Sequence, residues 1–180
     1  PELINEELGI ESICSYLLHK NIDAKVYYFQ EEDYKEILMG SDVKIIGFNV
    51  YMTNYQIINK LVNEVKESCS DITILVGGHF VTHRYDVFEF MPKIDFVVRG
   101  EGEITSHALI KRLLNEKHTG FSDIDGISYR DGAKIIINPN RKLIDNLDML
   151  PWPVRPLADK GLSKRFHIES ARGCTGTCSF

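Results

Sequence analysis

Residues 72–78, with the sequence Ile-Thr-Ile-Leu-Val-Gly-Gly, form a short apolar run that ends in two glycines. Similar runs occupy residues 43–50 before it and residues 94–98 after it. An apolar run of about four to eight residues that ends at a glycine-rich turn is typical of a strand covered on both faces of a sheet. We therefore predict that these three runs are the central strands of the fold.

Apolar residues at helical spacing mark segments before, between and after these runs. Residues 7–20 and residues 54–66 each carry one apolar stripe, and a third stripe runs through Leu109 and Leu113 to about Lys117. Strands that alternate with helices specify a parallel sheet with helices on both faces, joined by right-handed crossovers. The sequence therefore predicts an α/β, doubly wound, Rossmann-like domain that ends near residue 118.

Weaker patterns fill the rest of this domain. Residues 24–29 are rich in β-forming residues, residues 31–39 form a charged helical segment, and residues 81–90 fit a short helix closed by Pro92. The first element is a helix, whereas a doubly wound fold normally opens with a strand. We expect that a first strand and its loop precede Pro1.

A hairpin and a linker follow the α/β domain. Residues 125–129 and 134–137 are rich in β-forming residues and lie on either side of Asp131-Gly132, a pair that signals a β-hairpin. Pro151-Trp152-Pro153 interrupts regular structure, and the tryptophan between two prolines favours an anchor that packs the linker. We assign residues 119–163 to a connector.

The composition excludes several classes of protein. The 180 residues are 43% hydrophobic and 26% charged, and no apolar stretch approaches the roughly 20 residues of a membrane span. The start lacks the pattern of a signal peptide. A net charge of −5 gives no large positive field for nucleic acid, and the 4 cysteines are too few for a disulfide scaffold. We expect a soluble, cytoplasmic protein with no nucleic-acid or membrane partner.

Three loops follow the predicted strands and should lie at the carboxyl edge of the sheet, where open α/β sheets bind their ligands. They comprise residues 49–54, 77–79 and 100–103. Glycine lets the backbone approach a ligand closely, and N–H groups at a helix terminus hold polar or anionic atoms. Each loop alone could be an ordinary tight turn, but three together favour a ligand site. The candidate contacts are Tyr51, Thr53, Gly77, Gly78, His79, Gly100, Glu101 and Gly102.

Two residue pairs in this region allow other interpretations. His79 and His83 are four positions apart and could share a helical face, but the carboxylate of a metalloprotease motif does not lie between them. A surface or capping histidine fits position 79 equally well. Glu101 and Glu103 could be paired acids, although negative charge at a helix N-terminus is their more ordinary role.

Two cysteines near the end of the sequence are the sharpest chemical signal. Cys174 and Cys178 have three residues between them, with Gly173 and Gly176 to relax the loop, so both thiolates can converge on one soft metal centre. Iron–sulfur clusters use such ligands, and a redox pair or half of a zinc knuckle fits the same spacing. Residues 165–170, just before the cysteines, fit a strand.

The end of the chain resembles the radical S-adenosylmethionine (radical SAM) signature, Cys-x-x-x-Cys-x-aromatic-Cys. Residues 172–180 match it up to its third cysteine, which would follow Phe180 directly. The preceding domain resembles the cobalamin-binding domain of one large branch of that superfamily. Residues 77–79 and 99–103 match the loops of that branch, and the Asp131-Gly132 hairpin and residues 147–153 match its connector.

This resemblance implies a set of cofactors and a reaction. Cys174 and Cys178, with a third cysteine, would hold a four-iron, four-sulfur (4Fe-4S) cluster that binds S-adenosylmethionine, and the carboxyl-edge loops would bind cobalamin. Residues 164–180 would begin a truncated barrel that holds a small-molecule or peptide substrate. Methyl transfer to an unactivated carbon would follow, with an electron donor such as flavodoxin or ferredoxin. The fragment alone is expected to be inactive.

One departure and two alternatives accompany this interpretation. The sequence lacks the Asp-x-His-x-x-Gly motif that supplies a histidine to cobalt in other cobalamin proteins. A radical SAM enzyme of another reaction type, with a vestigial cobalamin domain, would keep the cluster and bind no corrinoid. A non-catalytic nucleotide-binding module would use Cys174 and Cys178 as a redox pair and would need no barrel.

Overall fold

The computed structural model describes residues 6–28, 42–115, 120–161, 166–173 and 176. The strands within them are β1 (Ile45–Asn49), β2 (Thr73–Gly77), β3 (Phe96–Val98), β4 (Ile127–Asp131) and β5 (Lys134–Ile137). The α-helices are α1 (Leu8–His19), α2 (Tyr55–Ser68), α3 (His79–Thr82), α4 (Val87–Phe90), α5 (Gly102–Leu113) and α6 (Pro156–Asp159), with a 3-10 helix at Leu147–Met149. Throughout these described ranges, every helix is too short or too polar to cross a membrane.

The strands form one five-stranded sheet in the order β1-β2-β3-β4-β5. β1 pairs with β2 and β2 with β3 in parallel, as the three apolar runs predicted. β4 then pairs with β3, and β5 with β4, in antiparallel register. The predicted hairpin is present but extends the main sheet instead of forming a separate connector, because joining β3 buries its apolar residues Ile127 and Tyr129.

Helices cover both faces of the sheet, which confirms the doubly wound architecture. Successive side chains of a strand point to opposite faces, so Ile74 and Val76 of β2 belong to one core and Leu75 belongs to the other. The first core packs α2, α3 and α4 against the sheet. The second packs α1 and α5 against it and includes the hairpin residues Ile127 and Tyr129.

Two of the weaker predictions need correction. Residues 22–28 form no strand, although residues 24–29 are rich in β-forming residues, and among the described residues no strand pairs with them. Residues 81–90 form two short helices, α3 and α4, instead of one. The chain turns between them because the N–H of Arg84 bonds the carbonyl of Val81 three residues back, which tightens and ends α3.

The predicted strand at residues 165–170 is also absent from the described part of that segment. Residues 166–170 are exposed and pair with no strand, and a single extended segment has no ladder to define it as a strand. The predicted charged helix at residues 31–39 lies outside the described residues. The helix predicted to reach about Lys117 ends earlier, at Leu113, and residues 114–115 after it are not helical.

Candidate functional site

The loops after β1, β2 and β3 meet at one edge of the sheet, as the parallel arrangement requires. The N–H of Val50 donates to the carbonyl of Gly77 at 2.8 Å, which joins the first loop to the end of β2. Thr82 Oγ1 donates to the carbonyl of Gly78 at 2.9 Å and accepts from the N–H of Gly100 at 3.3 Å. Hydrogen bonds therefore connect all three loops, directly between the first two and through the Thr82 side chain between the second and the third.

Gly78 must be glycine for the first two loops to come together. Its φ of +102° lies in a region that L side chains rarely adopt. A Cβ at this position would lie 2.9 Å from the carbonyl oxygen of Val50 and would collide with Oδ1 of Asn49. At Gly77 a Cβ would meet the carbonyl of Val98 at 3.4 Å, an ordinary contact. Gly78 thus has a structural role that Gly77 lacks, and the cofactor contact of both glycines stays a prediction.

The loop after β1 combines one restrained aromatic residue with exposed neighbours. The hydroxyl of Tyr51 donates to Glu7 Oε2 at 2.7 Å, and the Asn49 amide donates to the same oxygen at 2.8 Å. Burial, reinforced by the hydrogen bond to Glu7, raises the pKa of Tyr51. Met52, 71% exposed, and Thr53 face solvent beside it. This part of the edge therefore presents an apolar surface next to a neutral phenol.

His79 opens α3 and is exposed. Its ring lies edge-on to that of His83, with the ring centroids 5.7 Å apart. Across the described stretches, however, no three histidine, cysteine, aspartate or glutamate side chains group together as a metal site would require. The zinc interpretation of this pair thus lacks a third ligand among the described residues.

Gly100 and Gly102 follow β3 and have different surroundings. Gly100 is exposed with φ at +71°, and a Cβ there would meet nothing within 4 Å, so its backbone is open to a ligand. Gly102 is buried, and a Cβ there would lie 3.1 Å from Ile13 Cγ1 and collide with its Cδ1. Gly102 thus lets the first turn of α5 pack closely against α1.

Glu101 and Glu103 flank that glycine and bind a distant arginine. Arg172 Nη2 donates to Glu103 Oε1 at 2.6 Å, and Arg172 Nη1 lies 3.3 Å from Glu101 Oε1. Ser12 of α1 donates to the same Glu103 oxygen at 2.8 Å. Burial alone would raise the pKa of Glu103, but the hydrogen bonds from Arg172 and Ser12 outweigh it and hold the pKa below its ordinary value. The two glutamates form an ion-pair site that sequence reasoning missed.

Arg99 is a second residue that sequence reasoning missed. It is 7% exposed, and its guanidinium donates to Oδ1 of Asn140 at 2.6 Å and to the carbonyls of Ile127 and Asn138. Burial lowers its pKa. The sequence shows that Arg99 begins the Arg-Gly-Glu-Gly-Glu run. It does not show the buried contacts of Arg99 with the hairpin and the residues just after it.

A third missed group ties α1 to the segment before the cysteines. Arg155 Nη1 lies 2.7 Å from Glu6 Oε2 and 3.7 Å from Oε2 of the fully buried Glu11. The N–H of His167 donates to Glu6 Oε2 at 2.8 Å, and Tyr28 donates to Glu11 Oε1 at 2.7 Å. Burial raises the pKa of Glu11 despite the hydrogen bond from Tyr28.

Two other predictions concerned the cysteines near the end of the sequence and the tryptophan of the linker. Cys174 and Cys178 are outside the described residues, whereas Gly173 just before them has φ at +80°. Trp152 is 87% exposed, so the prediction that its ring anchors the linker is wrong. The backbone of Trp152 is held instead, because Ser15 Oγ donates a 2.6 Å hydrogen bond to its carbonyl.

Comparison with known proteins identifies related sequences. The B12 binding domain family matches residues 2–110. An anaerobic magnesium-protoporphyrin IX monomethyl ester cyclase from Synechocystis is 32% identical over 142 residues, which cover 76% of this chain and 28% of that protein. The cobalamin-dependent radical SAM methyltransferase TokK from Streptomyces tokunonensis is 28% identical over 148 residues, covering 76% of this chain and 21% of TokK. The chain therefore spans less than a third of the length of either relative.

Two solved structures share the fold. The cobalamin-dependent S-adenosylmethionine radical enzyme OxsB, with aqua-cobalamin and S-adenosylmethionine bound, superposes with a TM-score of 0.69 at 23% identity, over 84% of this chain and 22% of OxsB. The radical S-adenosylmethionine methyltransferase TsrM from Kitasatospora setae superposes with a TM-score of 0.66 at 17% identity, over 77% of this chain and 28% of TsrM. The proteins named here include cobalamin-dependent radical SAM enzymes, and the chain itself belongs to the B12 binding domain family.

Proposed function

We propose that this chain is the cobalamin-binding part of a radical SAM enzyme that transfers a methyl group to an unactivated carbon. The observation that carries the proposal is the family match over residues 2–110, because this range contains all three linked loops at the carboxyl edge. The similarity to TokK, a cobalamin-dependent radical SAM methyltransferase, supports the choice of reaction.

A corrin ring, which is broad and nearly flat with amide side chains at its rim, would lie against the carboxyl edge. Gly100 offers an open backbone, and Met52 and Thr53 offer an exposed surface on the neighbouring loop. Tyr51 and His79 add polar groups that can hold amides. Bound there, cobalamin would supply a transferable methyl group, while these residues hold its rim and limit the access of water.

The segment that follows Arg172 fits an iron–sulfur cluster by the chemistry of its donors. Cys174 and Cys178 would provide two thiolates, the ligands that iron–sulfur clusters use. The cluster would bind S-adenosylmethionine and generate the radical. The proposal also includes a third cysteine and a barrel that holds a small-molecule or peptide substrate. The electron donor would be a protein such as flavodoxin or ferredoxin.

A visible spectrum tests cobalamin binding by the chain itself. The chain is incubated anaerobically with hydroxocobalamin, desalted and scanned, with a column run of hydroxocobalamin alone as the background. The proposal predicts a corrinoid spectrum that coelutes with the protein at close to one equivalent per chain. A protein fraction without corrinoid would contradict it.

A second candidate function is a radical SAM reaction other than methyl transfer. It is favoured by the 32% identity to the Synechocystis cyclase, whose name describes a ring closure and no methyl transfer. An isotope experiment with the full-length enzyme distinguishes the two candidates. The enzyme is given S-adenosylmethionine labelled in its methyl group, and the label in the organic product is measured. Label in the organic product supports a methyltransferase, and 5′-deoxyadenosine formation without labelled product supports the other reaction.

A further inference from the structure

Arg172 lies where three carboxylates converge. Its Nε lies 3.0 Å from Glu169 Oε2, its Nη1 lies 3.3 Å from Glu101 Oε1, and its Nη2 lies 2.6 Å from Glu103 Oε1. Each guanidinium nitrogen thus has a carboxylate partner. Because Arg172 is two residues before Cys174, the ion pairs hold the chain just before the first of the two cysteines.

The partners of Arg172 are themselves held in place. The side chain of Glu103 is 3% exposed and also accepts from Ser12 of α1 at 2.8 Å. The second oxygen of Glu101 accepts from the N–H of Ile144 at 2.6 Å. Two of the three partners of Arg172, Glu101 and Glu103, therefore belong to a packed junction of α1, α5 and the chain that follows the hairpin, whereas the side chain of Glu169 is 52% exposed.

A second contact holds the same segment five residues earlier. The N–H of His167 donates to the buried carboxylate of Glu6 at 2.8 Å, and its carbonyl accepts from Arg155 at 2.7 Å. Between these two contacts the residues are exposed and form no helix or strand. The position of the segment relative to the sheet thus depends on His167 at one end and Arg172 at the other.

We propose that Arg172 is a positioning residue that holds the backbone just before the cysteines against the loop after β3, and so sets the iron–sulfur cluster of the proposed function at a fixed distance from cobalamin. The inference rests on the proposed function. Its chemical basis is that two reacting groups must be held in register, and a displacement of about 1 Å costs about 100-fold in rate. The planar fork of arginine binds several carboxylates at once, which the point charge of lysine cannot reproduce.

The test uses the full-length enzyme, loaded with hydroxocobalamin and a reconstituted cluster. The variants are Arg172→Lys, which keeps the cation beside Glu103, and Glu103→Gln, which removes the buried charge. Arg112→Gln is the matched control, because Arg112 makes a similar pair with Asp123 at 2.7 Å but lies at the opposite end of α5. Iron and corrinoid contents are measured first. Pulsed electron paramagnetic resonance then gives the distance between Co(II) and the reduced cluster.

The inference predicts wild-type iron and corrinoid contents in all three variants. It also predicts a shifted or broadened cobalt–cluster distance distribution in Arg172→Lys and Glu103→Gln, with Arg112→Gln unchanged. A distribution identical to wild type in both test variants would overturn the inference and leave the proposed function intact, since a merely stabilising contact would lower the melting temperature alone. A wild-type enzyme that retains no cluster or no corrinoid would overturn the proposed function, and the inference with it.

Discussion

Arg172 donates to the buried carboxylate of Glu103 at 2.6 Å across 69 residues of sequence. The contact connects the run that resembles a cluster-binding motif with the helix that begins beside the carboxyl edge of the sheet. It gives the Arg-Gly-Glu-Gly-Glu run a structural purpose in addition to any contact with a cofactor. Several of its consequences can be measured on the chain itself, before any cofactor is added.

The first prediction concerns the free energy of unfolding. Arg172→Met leaves Glu103 buried without its cation, which costs toward the lower end of about 3–5 kcal/mol because Arg172 is itself partly exposed. The double variant Arg172→Met with Glu103→Leu removes both charges and recovers most of that loss. Urea unfolding of both single variants, the double variant and the wild type checks this, with Arg112→Gln as a control that changes little. If the loss of the double variant equalled the sum of the losses of the two single variants, the pair would not be coupled.

The second prediction is that Glu103 and Glu11 give opposite dependence of stability on pH. The pKa of Glu103 is lowered, so its contribution is present above the ordinary value of 4.5 and is lost as pH falls through the lower folded value. The pKa of Glu11 is raised, so its contribution is present below 4.5 and is lost as pH rises through the higher folded value.

Unfolding free energies of Glu103→Gln and Glu11→Gln, measured across the acidic range, separate these two effects. Relative to wild type, Glu103→Gln should flatten the loss of stability on acidification. Glu11→Gln should remove a decline that wild type shows as pH rises above 4.5. Parallel curves for both variants and the wild type would contradict the assignment.

The third prediction concerns the close approach of α1 and α5 at Gly102. Alanine is a better helix former than glycine, yet Gly102→Ala should destabilise the chain by about 1–3 kcal/mol, because its Cβ would overlap the end of Ile13. Ile13→Val removes the overlapping methyl group. Chemical denaturation should therefore show a smaller loss for the double variant than the sum of the single losses. A stability gain for Gly102→Ala alone would refute the close packing.

Much of the fold was predictable because its patterns are local. The apolar run that ends at Gly77-Gly78 specifies a buried strand and a tight turn without reference to the rest of the chain. The helical stripes of α1 and α2 are equally local, and both helices form close to the predicted bounds. The two short helices α3 and α4 were missed as separate elements, since the break at Arg84 depends on a single backbone hydrogen bond.

The contacts of the candidate site were less predictable because they join distant segments. Glu103 fits the acidic first turn of a helix, and nothing in its neighbourhood indicates Arg172 as a partner. Trp152 fits a packing anchor by its type and its proline neighbours, yet only its backbone is held. The pairing of β4 with β3 depends on an open sheet edge, which the hairpin pattern alone does not specify.

The most direct test of cobalamin binding at the carboxyl edge compares two glycines. Gly100 at the edge and Gly132 in the hairpin turn both have positive φ, +71° and +59°, and both face open space, so asparagine imposes similar strain at each. Spectrophotometric titration with hydroxocobalamin should show Gly132→Asn binding like wild type. Gly100→Asn should bind at least about tenfold more weakly, which corresponds to about 1.4 kcal/mol. Equal affinity in both variants, or no binding by the wild type, would contradict the account.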